Sequence, residues 1–303
     1  AVRSEVCSYV VVGPVAERRL CSFGSRPEGH LLPPAEPRAM HVERVAVPVE
    51  TRAPTGATNA YLVGDSPALL VDPAGRTDEL DSLVAEHEIG AIAVTHTHPD
   101  HVGAVADYAE ATGAELLARR PDRFAAAAGV APDRRISEGA VIDTGSGPVT
   151  TLDTPGHAVD HVAFQLGEAG SGVVCGDLAI AEGSVVVGAP EGDLRAYLTS
   201  LRRLWVRDPD RLLPGHGPVV DAAPTPRECL ERLIAHRLDR ERSVLAAVRG
   251  GAADLDAVLD AAYDKDLSGV RDLARATVRA HLEKLAVEGR VAWNPETGRV
   301  EPV

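Results

Sequence analysis

Lysine is almost missing from this chain: of its 31 basic residues only Lys265 and Lys284 are lysines, and the remainder are arginines. Positive charge is in deficit overall, with a formal charge of −14. Such an acidic balance repels polyanions and argues against a nucleic-acid partner, although an alanine-rich, lysine-poor, acidic composition also fits salt adaptation, in which acidity says little about partners. No apolar run is long enough to cross a bilayer, which excludes a membrane-spanning helix and makes a membrane an unexpected partner. Cysteine is scarce as well. Cys7, Cys21, Cys175 and Cys229 form no Cys-x-x-Cys pair, so reduced thiols and a cytoplasmic location are expected. Cys175, within Val173-Val-Cys, reads as a small buried hydrophobe. Methionine occurs only at Met40. Before it, proline and glycine concentrate between Phe23 and Arg38, Tyr9 to Val12 is too short for a signal sequence, and Glu5 and Glu17 do not suit a transit peptide. Residues 1–39 are therefore expected to lie outside the fold, as a disordered tail or a gene-start artefact, with translation beginning at Met40.

The rest of the 303 residues can bury a full core and more than one domain. Apolar strand patterns at Val42 to Val49, Ala57 to Val63 and Ala68 to Val71 precede a helical stretch from Thr77 to Glu88 and a strand ending at Val94. Helical patterns (Val102 to Ala111, Pro121 to Ala128) then alternate with extended ones (Ala114 to Ala118, Val149 to Leu152, Val162 to Leu166, Val173 to Cys175). Asp193 is an N-cap for Leu194 to Trp205. This order predicts an α+β fold, two sheets with helices outside in an αββα sandwich, over residues 40–225. A long helix from Arg227 to Arg249 would connect it, as residues 226–250, to a unit at 251–303. There the helices Leu255 to Ala262 and Val270 to Val287 and a terminal hairpin, Val291 to Trp293 with Val300 to Val303, suggest a winged helix. Residues 254–303 carry ten acidic side chains against seven Lys and Arg, so Arg271, Arg275, Arg279 and Lys284 are expected on a solvated or packing face rather than on duplex DNA.

The chemistry concentrates in Thr95-His-Thr-His-Pro-Asp-His101, where His96, His98, Asp100 and His101 crowd behind a buried strand. A strand points alternate side chains to opposite faces and the loop then curls back, so these four can converge. Three more candidates share one grammar of apolar strand, glycine-containing turn and ligand-type side chain: His157 in Thr154-Pro-Gly-His, Asp177 in Val173-Val-Cys-Gly-Asp, and His216 in Leu213-Pro-Gly-His-Gly. Strands anchor such groups and glycine lets the backbone come close to an ion. Imidazole and carboxylate suit zinc, and manganese or iron also fit mixed nitrogen and oxygen shells. His161 and Asp160 could orient a ligand ring or could form a satisfied surface pair. His236, Arg237 and Arg240 could reach an anionic substrate if their helix borders the site, or could lie on a solvated face with Arg237 and Glu241 as an i, i+4 pair. His30, His41, His87 and His281 fit no ligand pattern.

This series, His-x-His-x-Asp-His followed by His, Asp and His, resembles the metallo-beta-lactamase superfamily from about Met40 to the Gly215-His-Gly turn. The resemblance implies two Zn2+ ions per chain: His96, His98 and His157 on the first, Asp100, His101 and His216 on the second, and Asp177 bridging them. It also implies that Asp72, in Leu69-Leu-Val-Asp, braces the ligand loop. Such a pair of ions would lower the pKa of a shared water from about 15.7 to near 7, supplying a bridging hydroxide, while Asp100 relays a proton to the leaving group. The lactamase domain, long helix and terminal winged helix, with His236-Arg-Leu-Asp-Arg-Glu241, are similar to the lactamase-beta-like protein two group, whose best-described activity is cutting single-stranded RNA. No inserted domain separates Asp177 from His216, which disfavours the larger nuclease branches.

The expected function is a metal-dependent hydrolase acting on an ester-type bond, an RNA phosphodiester or a thioester as in the glyoxalase II branch. The resemblance favours single-stranded RNA; the acidic balance favours a small ester or thioester. The competing readings are a persulfide dioxygenase with one iron and a non-catalytic regulator working through the winged helix. Oligomeric state leaves no mark in the sequence.

Overall fold

Runs of apolar residues become strands covered on both faces. The computed structural model describes residues 40–167 and 171–303, so the expected tail at 1–39 lies outside the described residues. The first sheet orders β1 (Val42–Pro48), β2 (Ala57–Val63), β3 (Ala68–Val71), β4 (Ile89–Ala93), β5 (Glu115–Ala118) and β6 (Arg134–Arg135) side by side. It is antiparallel from β1 to β3 and parallel from β3 onward. Helices α1 (Asp78–Glu86), α3 (Val105–Thr112) and α4 (Pro121–Ala128) cover its outer face, where Leu70 and Ile92 meet Leu80, Val105 and Phe124.

The second sheet runs β11 (Leu212–Pro214), β10 (Val173–Gly176), β9 (Val162–Leu166), β8 (Gly147–Asp153) and β7 (Val141–Thr144). In β9 the period of two is visible. Val162, Phe164 and Leu166 face Leu69, Val71 and Ala93 of the first sheet, whereas Ala163 faces the helices. Those outer helices are α5 (Leu194–Arg207) and the first part of α6 (Pro226–Arg249), which cover Leu152 and Val173 with Tyr197, Leu201 and Leu230. Helix, sheet, sheet, helix is the expected αββα order.

Two departures have local causes. The expected helix from Val102 to Ala111 is broken into α2 (Pro99–Val102) and α3 because Ala104 donates its N–H to the Pro73 carbonyl at 2.9 Å. Gly103 permits this: a Cβ there would lie 2.3 Å from the Ala74 carbonyl oxygen. Strands β6, β7 and β11 are too short or too exposed to show a period in the sequence.

Helix α6 starts one residue earlier than expected, with Pro226 at its first position and a capping box between Thr225 and Glu228. Its last turns, Val244, Leu245 and Val248, join α7 (Leu255–Ala262), α8 (Arg271–Val287) and the hairpin β12 (Val291–Asn294) with β13 (Arg299–Pro302) around a separate apolar cluster. Glu241 ties α6 to α8 through Lys284 at 2.6 Å.

His281, on α8, is fully buried and neither ring nitrogen has a hydrogen-bond partner among the described residues. Burial first, then the positive charges of Arg237, Arg240 and Lys284, push its pKa down to about 3. A histidine with a folded pKa below its unfolded value of about 6.5 binds protons more readily when unfolded. Its stabilising contribution is therefore complete above that pH and disappears as pH falls toward the folded pKa. We expect unfolding free energy to fall between pH 6.5 and 4, and His281→Leu to lessen the fall by several kcal/mol, at about 1.4 kcal/mol per pKa unit. Urea titrations across that range check this; parallel curves for both proteins would rule it out.

Candidate metal centre

The two sheets meet at one edge, where the loop after β4 hands over to β9: Val162 donates its N–H to the Thr95 carbonyl at 2.8 Å. The Thr95 to His101 segment leaves β4 extended, and Pro99 then opens α2, so that Asp100 and His101 turn back toward His96. His157, Asp177 and His216 arrive at the same edge from the ends of β8, β10 and β11. All seven ligand-type residues singled out in the sequence are thus gathered by the fold.

His96 Nε2 lies 2.9 Å from His98 Nδ1, and His157 Nε2 lies 3.0 Å from the same atom. The far nitrogens of the two flanking rings are occupied. His157 Nδ1–H donates to the Val186 carbonyl at 2.7 Å. His96 Nδ1–H donates to Thr95 Oγ1 at 3.1 Å, because that hydroxyl itself donates to Asp72 Oδ2 at 2.7 Å. Lone pairs therefore converge from His96 and His157 onto His98, whose single Nδ1 proton can satisfy only one of them. A cation resolves the conflict, and the spacings approach the roughly 3.3 Å edge of a tetrahedral zinc site with bonds near 2.0–2.1 Å.

Asp100, His101 and His216 form a second group whose ligand atoms all lie within 4.8 Å of one another. Asp177 stands between the groups, 3.5 Å from His157 Nε2 through Oδ2, 3.5 Å from His216 Nε2, and 3.7 Å from His101 Nε2 through Oδ1. His101 Nε2 is a buried nitrogen without a hydrogen-bond partner among the described residues, the kind of orphan a metal would satisfy. Gly215 makes the room: a Cβ there would lie 2.6 Å from Asp177 Oδ1 and 2.8 Å from His101 Cε1. The residues present thus fit two cations.

Asp177 stays charged at this edge, and a cation there would displace the proton that Asp72 otherwise draws onto His101. Burial alone would raise the Asp177 carboxyl, but its hydrogen bond with His216 and the nearby His101 and His157 hold it well below the usual carboxylate range. Burial alone would lower His101, yet the charge and hydrogen bond of Asp72 push it up to about 9. His96, by contrast, is kept neutral by burial and by His101, His157 and His98.

Around these groups stands a frame of hydrogen bonds. Asp72 accepts from Thr95 N–H at 2.6 Å, Thr95 Oγ1 at 2.7 Å and His101 Nδ1–H at 2.9 Å. It does so from a left-handed backbone, φ 52, a strain tolerated where the surroundings over-determine it. His161 is buried and accepts the Asp177 N–H at 3.1 Å through Nε2, while Nδ1–H donates to Thr154 Oγ1 at 2.9 Å. Burial, then His157, pushes its pKa down to about 3, which keeps it an acceptor. Asp160, also buried, accepts from Thr97 Oγ1 at 2.6 Å. Neither of the pair orients a ligand ring and neither is a surface group; both hold backbone or loop around the ligands. His216 Nδ1–H donates to the Ala57 carbonyl at 2.8 Å, and Thr51 Oγ1 donates to Asp100 Oδ2 at 2.5 Å.

The expectation for His236, Arg237 and Arg240 is corrected. None of the three lines the cleft over the metal centre. Arg237 is buried, donates to the Val185 carbonyl and lies 5.5 Å from the Tyr197 ring. Arg240 donates to the Ala262 carbonyl and stacks 3.6 Å over Tyr263. Nor do Arg237 and Glu241 pair; Glu241 holds Lys284 and Arg290 instead. Arg237 falls on the buried stripe of α6, four residues after Leu233, and that spacing is the signal that marks it as a packing residue. Because Val185 precedes Val186, Arg237 supports the loop whose carbonyl orients His157.

The cleft itself encloses about 370 Å3. Its floor is His98, Asp100, His157, Asp177 and His216, and its walls include Ala53, Pro54, Ile180, Val185, Val186 and Leu273. Among the described residues that line it, Arg52 is the one Lys or Arg side chain, and Asp272 holds it at 3.1 Å. Thr51, Arg52 and Leu273 carried no motif, and Val185 and Val186 contribute backbone carbonyls, which no side-chain pattern reveals.

An αββα sandwich with two groups of histidine and aspartate at the shared edge of its sheets defines a class of metal-centred folds. A family model described as the Metallo-beta-lactamase superfamily matches residues 53–216, and the chain belongs to that superfamily, as a hydrolase of this fold. It is 27% identical over 256 residues to the Beta-lactamase-like protein 2 homolog of Caenorhabditis elegans, covering 78% of this chain and 81% of that protein. It is 32% identical over 236 residues to the Atrochrysone carboxyl ACP thioesterase of Aspergillus chevalieri, covering 73% of this chain and 71% of that one. Among solved structures, a metallo-beta-lactamase family protein from Thermus thermophilus aligns with a TM-score of 0.68 and 25% identity over 86% of this chain and 98% of that protein.

Asp72→Asn keeps a residue that tolerates left-handed backbone while discarding the charge on His101. We expect it to weaken metal binding about 10–100-fold, as loss of a ligand's hydrogen-bond partner does. Competition against a chromogenic chelator measures this, and wild-type affinity in the variant would contradict the bracing role.

Proposed function

We propose that this protein is a dinuclear, zinc-type metallohydrolase of small acyl thioesters or esters. The observation that carries the reading is the cleft: apolar walls stand directly over the histidine and aspartate groups, and the one Arg that lines it is already paired. An acyl chain gains by burial against such walls, roughly 25 cal/mol per Å2 of apolar surface. A phosphodiester backbone would meet Glu50 at the rim and no unpaired Lys or Arg among the lining residues.

In this reading His96, His98 and His157 would hold one ion and Asp100, His101 and His216 the other, with Asp177 available to both. Bound divalent cations there supply Lewis acidity and a water of near-neutral pKa. The residues of the chain do the rest. Ala53, Ile180 and Leu273 would seat the acyl group, and Asp100, tethered by Thr51, would take a proton from the attacking water and give it to the departing thiolate as the C–O bond forms and the C–S bond breaks. Residues 251–303, read as a winged-helix-like unit, serve as cleft wall through Leu273. Its basic residues Arg271, Arg275 and Lys284 are held by Asp260, Asp256 and Glu241, which supports a reading without duplex DNA. The thioesterase named among the relatives supports the same substrate class.

The test is a hydrolysis panel on metal-assayed protein, with acyl thioesters of increasing chain length and S-lactoylglutathione beside single-stranded RNA. Thioester turnover without RNA cleavage is expected. RNA cleavage with thioesters untouched would reverse the assignment. Leu273→Asp should raise KM for the longer acyl thioesters by about tenfold or more, since losing about 1.4 kcal/mol of apolar contact is a factor of ten, and leave metal content unchanged. An unaltered KM would remove Leu273 from the acyl wall.

A further inference from the structure

We propose that His41, Glu43 and His87 form a separate site for one borderline divalent transition metal of the zinc type. Each offers one ligand atom, and these atoms all lie within 4.8 Å of one another. The two histidines fit no motif in the sequence because their partner lies more than forty residues away along the chain. The fold brings them together: His41 and Glu43 stand two residues apart at the start of β1, on one face of the edge strand, and His87 is the C-cap of α1, which packs behind it.

Three features of the geometry suit a metal. Glu43 Oε1 is already 2.9 Å from His41 Nε2, a ligand-to-ligand spacing like those at the main centre. His87 Nδ1–H donates to the Leu83 carbonyl at 2.9 Å, which fixes the tautomer and leaves the lone pair on Nε2, the arrangement that metal-bound imidazoles use. All three residues are half-buried, open to an ion from solvent yet partly ordered by the fold. Two imidazoles and a carboxylate with a fourth position for water make up a recognised zinc donor set. An ion here would displace the proton shared by His41 and Glu43 and clamp the edge strand to the end of α1. None of the three residues lines the cleft, so this ion would be independent of hydrolysis.

The experiment uses the full chain, stripped with chelator and titrated with Zn2+ alone, with bound metal counted by elemental analysis and affinity by calorimetry. Wild type should bind one ion per chain more than His87→Ala or Glu43→Gln. Removing a ligand should weaken that ion by at least the roughly 10–100-fold that loss of a ligand's hydrogen-bond partner causes. Turnover of the loaded enzyme should be unchanged in both variants. Asp177→Ala, which strikes the main centre, should keep this ion, so the two assignments fail separately. Zinc should also raise the melting temperature of wild type more than that of either variant, since only a native-state site is stabilised. Glu43→Gln, nearly isosteric, carries the test if His87→Ala folds poorly. Equal zinc stoichiometry in wild type and Glu43→Gln would overturn the proposal.

Discussion

Everything near the joined sheet edge depends on one electrostatic problem: imidazole lone pairs and carboxylates are forced together away from water. Nitrogens of His96, His98 and His157 approach to 2.9–3.0 Å with only one ring proton between them, and Asp177 is surrounded by His101, His157 and His216. The converging imidazole lone pairs repel unless a proton or a cation lies among them, whereas Asp177 is drawn to the histidines around it. The site therefore has to be held in place by the remainder of the molecule, and most of the hydrogen bonds around it do this.

The holding groups are mainly not the conspicuous ones. Asp72 grips Thr95 twice and His101 once from a strained backbone. His161 holds the backbone of Asp177, and Asp160 the hydroxyl of Thr97. The carbonyls of Val186 and Ala57 set the tautomers of His157 and His216. Arg237 reaches the carbonyl beside Val186 from α6, so a buried arginine on an outer helix supports a ligand ring through one loop. Rigid strands carry the ligands and polar groups with no free rotation aim them, which is what a site requiring sub-ångström placement needs.

The C-terminal unit bears on the same cleft by apolar and ionic means. Leu273 forms part of the wall, and Asp272 next to it pairs with Arg52 on the loop between β1 and β2. Exposed pairs of that kind contribute little energy, about 0–1 kcal/mol. Here the pair matters because it removes a free cation from the mouth of the cleft, the feature on which the proposed acyl substrate rests.

The sequence by itself determined most strands, most helices and all seven ligand-type residues, because each signal is local. Strands such as Ala57–Val63 and Val162–Leu166 follow from apolar runs, and the candidates His157, Asp177 and His216 from glycine turns after such runs. It also located Asp72 and marked His161 and Asp160 as neighbours of the ligands. Tertiary structure decided what no local period encodes. Arg237 looked like a charge for substrate and is a buried brace; Leu273, on a helix far beyond His216 in the chain, became a cleft wall; His41, Glu43 and His87 met across α1 and β1. The physical reason is common to all three: whether a side chain meets solvent, a carbonyl or another ligand is set by which elements pack together, and packing partners are distant in the chain.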